Sequence, residues 1–208
     1  YFGLVTGSTH GVHDGCLPTS CPLAGPSVFA QLAGRGGFRV LAQDMPEPCS
    51  HLTTTTYVVR HNPLAYLPAQ AAICRRYDLP LGPLATGRLA GMLAADRLPA
   101  LTMIVPDLCD DMHNCGTGAG DVYLGRLVAR IASSPGYRRG DTVVFVTWDE
   151  PSGHPGPAIP LIAIAPTIRR GLRVGVVSNH YALLRATERM LHLPLLGGAR
   201  TAADLLGP

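Results

Sequence analysis

The chain has 208 residues, of which 47% are hydrophobic and 15% charged, and this fits one domain with a substantial core. No apolar run reaches the roughly 18 residues of a membrane-spanning helix, so no transmembrane segment is predicted. The net charge is +3 and the basic residues are scattered along the sequence, which does not indicate a nucleic-acid-binding surface.

Predicted helices and strands alternate behind a loop-like amino-terminal region, residues 1–27, that is rich in Gly, Ser, Thr, Pro and His. Ser27 and Asp121 are typical helix N-caps, and Pro99 ends a helix. The predicted helices cover Ser27–Gly34, Pro83–Leu98 and Asp121–Ser134, and a last helix runs from Ser178 or Asn179 toward His192. The predicted strands cover Phe38–Ala42, Thr53–Arg60, Leu101–Val105, Thr142–Trp148 and Pro160–Ala165.

The run Thr142–Trp148 is β-branched and aromatic with almost no alternation, which is typical of a strand buried on both faces of a sheet. Buried strands that alternate with amphipathic helices predict an α/β fold. In such a fold a mostly parallel central sheet is covered by helices on both faces. The chain is therefore predicted to form a single domain over residues 1–208.

Polar residues follow several of the predicted strands: Asp44, His61, the stretch Asp107–His113, and the pair Asp149 and Glu150. The carboxyl ends of parallel strands meet at one edge of a sheet, where ligands bind in open α/β folds. The sequence therefore predicts a functional site at this edge.

Asp149 and Glu150 directly follow the last apolar residue of their strand, and the Pro- and Gly-rich stretch behind them predicts a loop. Adjacent carboxylates repel each other, so a cation or a shared proton is expected beside them. The alternative is that both are solvated loop acids.

Four histidines are candidates for the site. His61 lies at a predicted strand end, although it could instead hydrogen-bond within its own turn. His113 is the strongest candidate, and Asp111 could orient its ring or be solvated. His154 follows the acid pair and could flank the site or face water, whereas His180 begins a helix and could serve as a cap.

Six cysteines fall into three sequence-neighbour pairs: Cys16 with Cys21, Cys49 with Cys74, and Cys109 with Cys115. Six cysteines allow about 15 connectivities, and zinc binding is the competing explanation. Neither close pair has the spacing usual for zinc ligands. Three disulfides in an oxidising compartment are therefore preferred, which predicts a secreted or extracytoplasmic protein.

Several motifs together resemble one family of enzymes. The strings DMPEPC, YVVRHNP, VPDLCDDMHNC, TVVFVTWDE and SNHYALLRATERMLHLPLLGGA occur in this order, and YFGLVTGST stands at the amino terminus. They resemble the secreted acid phosphatase and phospholipase C type phosphoesterases, a branch of the alkaline phosphatase superfamily. The resemblance implies an alkaline-phosphatase-like sheet and a hydrolase of phosphate esters.

The resemblance also implies roles for individual residues. Asp149 and Glu150 would be metal ligands, and His61 and His113 would bind phosphoryl oxygens or assist the leaving group. Asp111, His154 and His180 are possible supporting residues from their positions in the sequence and are not implied by the resemblance. One divalent metal ion is implied, with Ca, Mg, Mn and Zn all possible, and the substrate would be a small phosphate ester.

The Ser or Thr nucleophile of that family, and the first strand with its metal-binding pair, would lie before Tyr1. We therefore expect an amino-terminally truncated domain with little phosphatase activity by itself, and we expect an upstream extension to restore activity. The alternatives are a phospholipase C-type phosphodiesterase or an inactive fragment that binds phosphate or metal without turnover. A sulfatase would need a modified nucleophile that no segment resembles.

Overall fold

The computed structural model describes residues 1–35, 37–151 and 159–207. It is a mixed α/β structure with a parallel three-stranded sheet flanked by helices, consistent with an alkaline-phosphatase-like fold. The strands of this sheet are β1 (Phe38–Ala42), β2 (Asp78–Pro80) and β3 (Leu101–Val105), in the order β2-β1-β3. The two flanking strands are paired with β1 in parallel, with Val40 opposite both Asp78 and Met103.

Seven α-helices occur in the described ranges, and short 3-10 helices connect some of them. Ser27 caps the second helix as predicted, because its side chain accepts a hydrogen bond from the amide of Ala30. Asn179 caps the last helix in the same way. The helices are α1 (Phe2–Thr6), α2 (Val28–Ala33), α3 (Ala71–Tyr77), α4 (Arg88–Ala94), α5 (Thr117–Ala132), α6 (Pro135–Arg139) and α7 (His180–Met190).

Strand β1 is the centre of the core, and its two faces contact two different apolar clusters. Phe38, Val40 and Ala42 point to one face and pack with residues of α2 and α3. Leu41 points to the other face and packs with residues of α4 and α5. Successive side chains of a strand alternate between faces, so this short strand joins both layers of helices to the sheet.

The other two strands form a separate antiparallel pair. Strand β4 (Val144–Thr147) is hydrogen-bonded to β5 (Leu161–Ile164), with Val146 opposite Ile162. Every residue of β4 is half-buried, so the prediction that this strand is buried on both faces is wrong. Among the described residues β4 pairs with β5 alone, which leaves it less covered than β1.

The prediction of a strand over Thr53–Arg60 is also wrong, because this run is a loop followed by a 3-10 helix, Val59–His61. The hydroxyls of Thr53 and Thr54 accept hydrogen bonds from the amides of Val59 and Tyr57. Threonine side chains that bond nearby amides offer the backbone an alternative to strand pairing.

Some other boundaries differ from the predictions. Helix α1 lies in the region predicted as loop, and α3 and β2 were not predicted. Helix α5 begins at Thr117, so Asp121 lies within it and is not its cap, and Val122 is exposed. No helix in the described ranges is long and apolar enough to cross a membrane.

All six cysteines are paired in disulfides, each between sequence neighbours: Cys16–Cys21, Cys49–Cys74 and Cys109–Cys115. The second joins the loop after β1 to helix α3, and the third closes the loop that follows β3. Three disulfides are typical of an extracytoplasmic protein.

Candidate active site

The loop after β3 places the carboxylate of Asp111 beside the imidazole of His61. Asp111 Oδ2 lies 3.1 Å from His61 Nδ1, and both side chains are largely buried. Asp111 Oδ1 accepts a hydrogen bond of 2.8 Å from the backbone amide of His113. One carboxylate therefore orients the ring of His61 and holds the backbone that carries His113.

The two imidazole rings are neighbours, with centroids 6.0 Å apart. His113 Nδ1 lies 2.8 Å from Asn114 Oδ1, which restrains its ring. The loop itself is restrained by the Cys109–Cys115 disulfide and by Asp107, whose carboxylate accepts hydrogen bonds from two loop amides. These contacts support two imidazoles that can act on one bound group.

A buried polar network lies directly behind His61. The side chain of Asn62 is fully buried, and its amide nitrogen donates to Asp78 Oδ2 at 2.7 Å and to the Tyr57 hydroxyl at 3.0 Å. Burial raises the pKa of Asp78 to about 7, although the Asn62 hydrogen bond acts in the opposite direction. This network anchors the turn that carries His61, because Asn62 is its neighbour in the chain.

Sequence reasoning did not identify Asp78 or Tyr57 as part of this support. Asp78 lies at the start of β2, a strand of only three residues. In the sequence, Asp78 stands out only as an acid between the apolar residues Tyr77 and Leu79. This pattern does not predict that Asn62 is its hydrogen-bond partner.

Tyr1 connects the imidazoles to the acid pair. Its ring stacks on that of His61, with centroids 5.5 Å apart and an angle of 19° between the planes. Burial raises the pKa of the Tyr1 phenol well above its usual range, and the negative charges of Asp149, Asp111 and Glu150 add to this effect. The phenol therefore lies within electrostatic reach of all three carboxylates.

Asp149 and Glu150 are exposed directly after β4. The carbonyl oxygen of Asp149 accepts a hydrogen bond of 2.8 Å from His180 Nε2, which joins this loop to the first residue of α7. His180 therefore acts on the position of the acid pair in addition to beginning its helix. His154 lies outside the described residues.

A cavity of about 350 Å³ borders this arrangement. Its wall combines the polar residues Asp149, Asn179 and His180 with aromatic ones, Tyr1 and Tyr181. A cavity lined by both polar and aromatic groups suits an organic ligand that carries a charged group.

The acid pair has the right chemistry for a hard divalent cation, since carboxylate oxygens are its preferred ligands. Among the described residues, one group of three acid, Cys or His side chains has its ligand atoms within 4.8 Å of one another: Cys49, Cys74 and Asp78. Its two sulfurs are bonded to each other as a disulfide and are not available as thiolate ligands. In the part of the chain that the structure describes, neither Asp149 nor Glu150 belongs to such a group of three, so the acid pair offers oxygen ligands by its chemistry alone.

Comparison with known protein families shows which family this chain belongs to. The model of the Phosphoesterase family matches residues 28–194, which include both imidazoles, Asp111 and the acid pair. The chain belongs to the phosphoesterase family. The family resemblance of the motifs is thereby confirmed.

One curated relative of this phosphoesterase is a phosphatidylinositol-3-phosphatase from Mycobacterium tuberculosis (strain ATCC 25618 / H37Rv). The two sequences are 25% identical over 210 residues. The alignment covers 99% of this chain and 65% of the relative, so the chain spans somewhat less than two thirds of the relative's length.

Proposed function

We propose that this chain forms the greater part of a secreted, metal-dependent phosphoesterase that resembles acid phosphatases and hydrolyses phosphate monoesters. The observation that carries the proposal is the pair of neighbouring imidazoles of His61 and His113: Asp111 pairs with the His61 ring and accepts a hydrogen bond from the backbone amide of His113. Membership of the phosphoesterase family and the phosphatase name of the curated relative support the same chemistry.

The two imidazoles suit the charge that develops during phosphoryl transfer. The transferring phosphoryl group spreads negative charge over its oxygens, and preorganised donors that face these oxygens stabilise the transition state. One imidazole can also donate a proton to the departing alkoxide, because imidazole is the side chain that enzymes use most often for general acid–base catalysis. Asp111 keeps the His61 ring in a fixed orientation, which preserves the alignment of that donor.

Asp149 and Glu150 would hold a divalent cation, which when bound neutralises charge on the phosphoryl oxygens. His180 fixes the backbone of Asp149 through the carbonyl oxygen, and this leaves the carboxylates free to bind. Tyr1 covers one side of His61 and separates that imidazole from bulk water.

The nucleophile is proposed to be a Ser or Thr of a segment that precedes Tyr1. Thr6 is the first buried hydroxyl residue after Tyr1, but its hydroxyl already has hydrogen-bond partners. It donates to the Phe2 carbonyl oxygen and lies 2.9 Å from His10 Nε2. Thr6, Ser8 and Thr9 also match the sequence that follows the nucleophile in the family.

Hydrolysis of a chromogenic phosphomonoester tests the proposal. We expect a longer protein that carries the proposed nucleophile segment before Tyr1 to turn over and the 208-residue chain to show little activity. In the longer protein, His61→Asn and His113→Asn should each lower kcat by roughly 100-fold or more, the usual size of a general acid–base contribution. The control is His51→Asn, because His51 is exposed.

Two further measurements test the metal dependence and the preference for monoesters. Removal of divalent ions should abolish turnover, and addition of one ion at a time should identify the metal. A monoester preference over a matched diester is expected, because the curated relative is a phosphatase. Unchanged activity of the His61 and His113 variants, or full activity of the 208-residue chain, would contradict the proposal.

A positioning role for Asp111 has its own test. Asp111→Asn retains the size of the side chain but removes the charge facing His61, so kcat should fall about tenfold with little change in KM. The conservative variant Asp111→Glu should recover part of the loss. If Asp111→Asn and Asp111→Glu lose kcat to the same extent, and both also lose thermal stability, the role of Asp111 is purely structural.

A further inference from the structure

The segment of residues 169–177, between β5 and α7, combines positive charge with exposed aliphatic side chains. Val177 is 95% exposed and Val174 is 63% exposed, values that are unusual for valine. Leu172 and Val176 are about half exposed. Three of the chain's arginines, Arg169, Arg170 and Arg173, are exposed in the same segment.

Along the sequence, the charged residues in and next to this segment are all basic. No Asp or Glu occurs between Glu150 and Glu188, whereas three arginines fall within the five residues that begin at Arg169. The rest of the chain mixes charges of both signs, which gives the low net charge of +3. The 169–177 segment is therefore an exposed basic stretch in a chain whose other charges balance.

We propose that the 169–177 segment docks on an anionic lipid bilayer. Arginines interleaved with exposed aliphatic residues fit such a surface, since the guanidinium groups contact lipid phosphates while the aliphatic groups enter the interface. The segment contains no aromatic residue for base stacking, so nucleic acid fits less well. A second copy of the same segment would bring like charges together.

The position of the segment links docking to the candidate active site. It ends two residues before Asn179, which lines the 350 Å³ cavity together with Asp149 and His180. His180 in turn holds the backbone of Asp149. A phosphate ester carried by a lipid of the same bilayer would thus be presented close to the acid pair, and this kinetic consequence rests on the proposed function.

The decisive experiment measures binding and does not need turnover. The 208-residue chain is floated with vesicles of phosphatidylcholine alone and of phosphatidylcholine mixed with phosphatidylserine. We expect binding to the mixed vesicles only, with an affinity that falls as salt is raised. Replacement of all three arginines by glutamine should lower the affinity roughly 100-fold, because each basic residue near an anionic bilayer contributes about fivefold.

A second variant tests the aliphatic contribution. Val174→Ser with Val177→Ser should weaken binding by about tenfold, and the loss should persist at high salt because it is not electrostatic. Two matched controls should bind like the wild type. The first control changes three exposed arginines outside the segment to glutamine: Arg75 on α3, Arg88 on α4 and Arg97 in the loop after α4. The second control changes two exposed aliphatic residues, Leu52 and Val122, to serine.

The outcomes separate the two proposals. Loss of vesicle binding only in the 169–177 variants supports docking, whether or not the chain is an enzyme. Equal losses in the control variants, no vesicle binding by the wild type, or binding to RNA or to a second copy through the same residues would overturn it. In the active longer protein, the segment variants should spare a soluble phosphomonoester and slow hydrolysis of a vesicle-borne one at least tenfold.

Discussion

Strand β1 of the parallel sheet and the antiparallel hairpin of this protein are built from similar residues but are buried to different extents. In β1 every side chain except Arg39 is buried, and Leu41 has no exposed surface. In the hairpin, β4 is half-buried throughout and Ile162 of β5 is 43% exposed. Strand β1 has a neighbour on each edge and helices over both faces, whereas β4 has one paired edge in the described residues.

The polar groups of the two regions differ in the same way. Beside the parallel sheet, Asn62, Asp78 and Ser27 are fully buried and hydrogen-bonded within the chain. Beside the hairpin, the acid pair and the arginines of the 169–177 segment are exposed. One region thus positions His61 rigidly, and the other presents charged and apolar groups for ligands. Stability measurements on matched variants can sharpen or break this distinction.

The largest expected effect is the pH dependence of stability that arises from Asp78. Burial raises its pKa in the folded state from 3.8 to about 7, so folding favours the neutral acid. The stabilisation is fully present below pH 3.8 and is lost as the pH rises through about 7. A shift of this size corresponds to roughly 4 kcal/mol at most. Asp78→Asn should therefore flatten the decline in the free energy of unfolding between about pH 4 and pH 7.

Glu188 provides a comparison for Asp78. It is also fully buried, and burial raises its pKa to about 7, against the opposing influence of the Leu196 amide and the Arg200 charge. Glu188→Gln should remove a separate part of the same pH dependence, so the double variant should be flatter than either single one. Denaturant unfolding at a series of pH values measures this, and an unchanged slope in Asp78→Asn would be inconsistent with a neutral buried acid.

The next effect compares the two sheets directly. Leu41→Ala in β1 should lower the free energy of unfolding by about 3 kcal/mol, because the side chain is fully buried between helices and leaves a cavity. Ile162→Ala in β5 should cost less than about 1 kcal/mol, since much of the side chain is already in water. Urea unfolding of both variants measures the two losses in the free energy of unfolding. Equal costs would mean that the hairpin is covered in solution.

The contrast between the sheets also marks what the sequence could predict. The runs Phe38–Ala42 and Leu101–Val105 identified two parallel strands correctly, because short, mostly apolar runs bounded by turn residues favour strands, but only β1 is buried along most of its length and β3 is half-buried except at Val105. The run ending at Trp148 has the same composition, but its burial depends on which strands lie beside it. Local pattern contains no information about that neighbour.

Loop and site predictions show the same limit. The Thr53–Arg60 run has strand-like composition, yet hydrogen bonds from amides to Thr53 and Thr54 favour a turn. His61, His113 and Asp111 were singled out one by one from their positions after predicted elements. Their mutual distances follow from the fold. The contact of His61 with Asp111 spans 50 positions, and no spacing rule reveals it.

The smallest predicted difference between the regions concerns two helix caps, one in each region. The Ser27 hydroxyl accepts from the Ala30 amide at 3.1 Å and donates to Gln70 Oε1 at 2.7 Å, and it is fully buried. Ser27→Ala should cost about 2 kcal/mol, because it removes the cap and leaves a buried amide oxygen without its donor. Asn179, an exposed cap of α7, makes one such bond to the Ala182 amide, so Asn179→Ala should cost about 1 kcal/mol.

Conservative cap variants are the controls for this last comparison. Asn179→Asp keeps a side-chain acceptor and adds a negative charge at the amino end of α7, so it should retain wild-type stability. Ser27→Thr keeps the hydroxyl but adds a methyl group to a fully buried site, so it should recover only part of the 2 kcal/mol, roughly half. If Asn179→Ala proves as costly as Ser27→Ala, the cap of α7 is buried in solution. The surface beside His180 would then be covered rather than presented to a ligand.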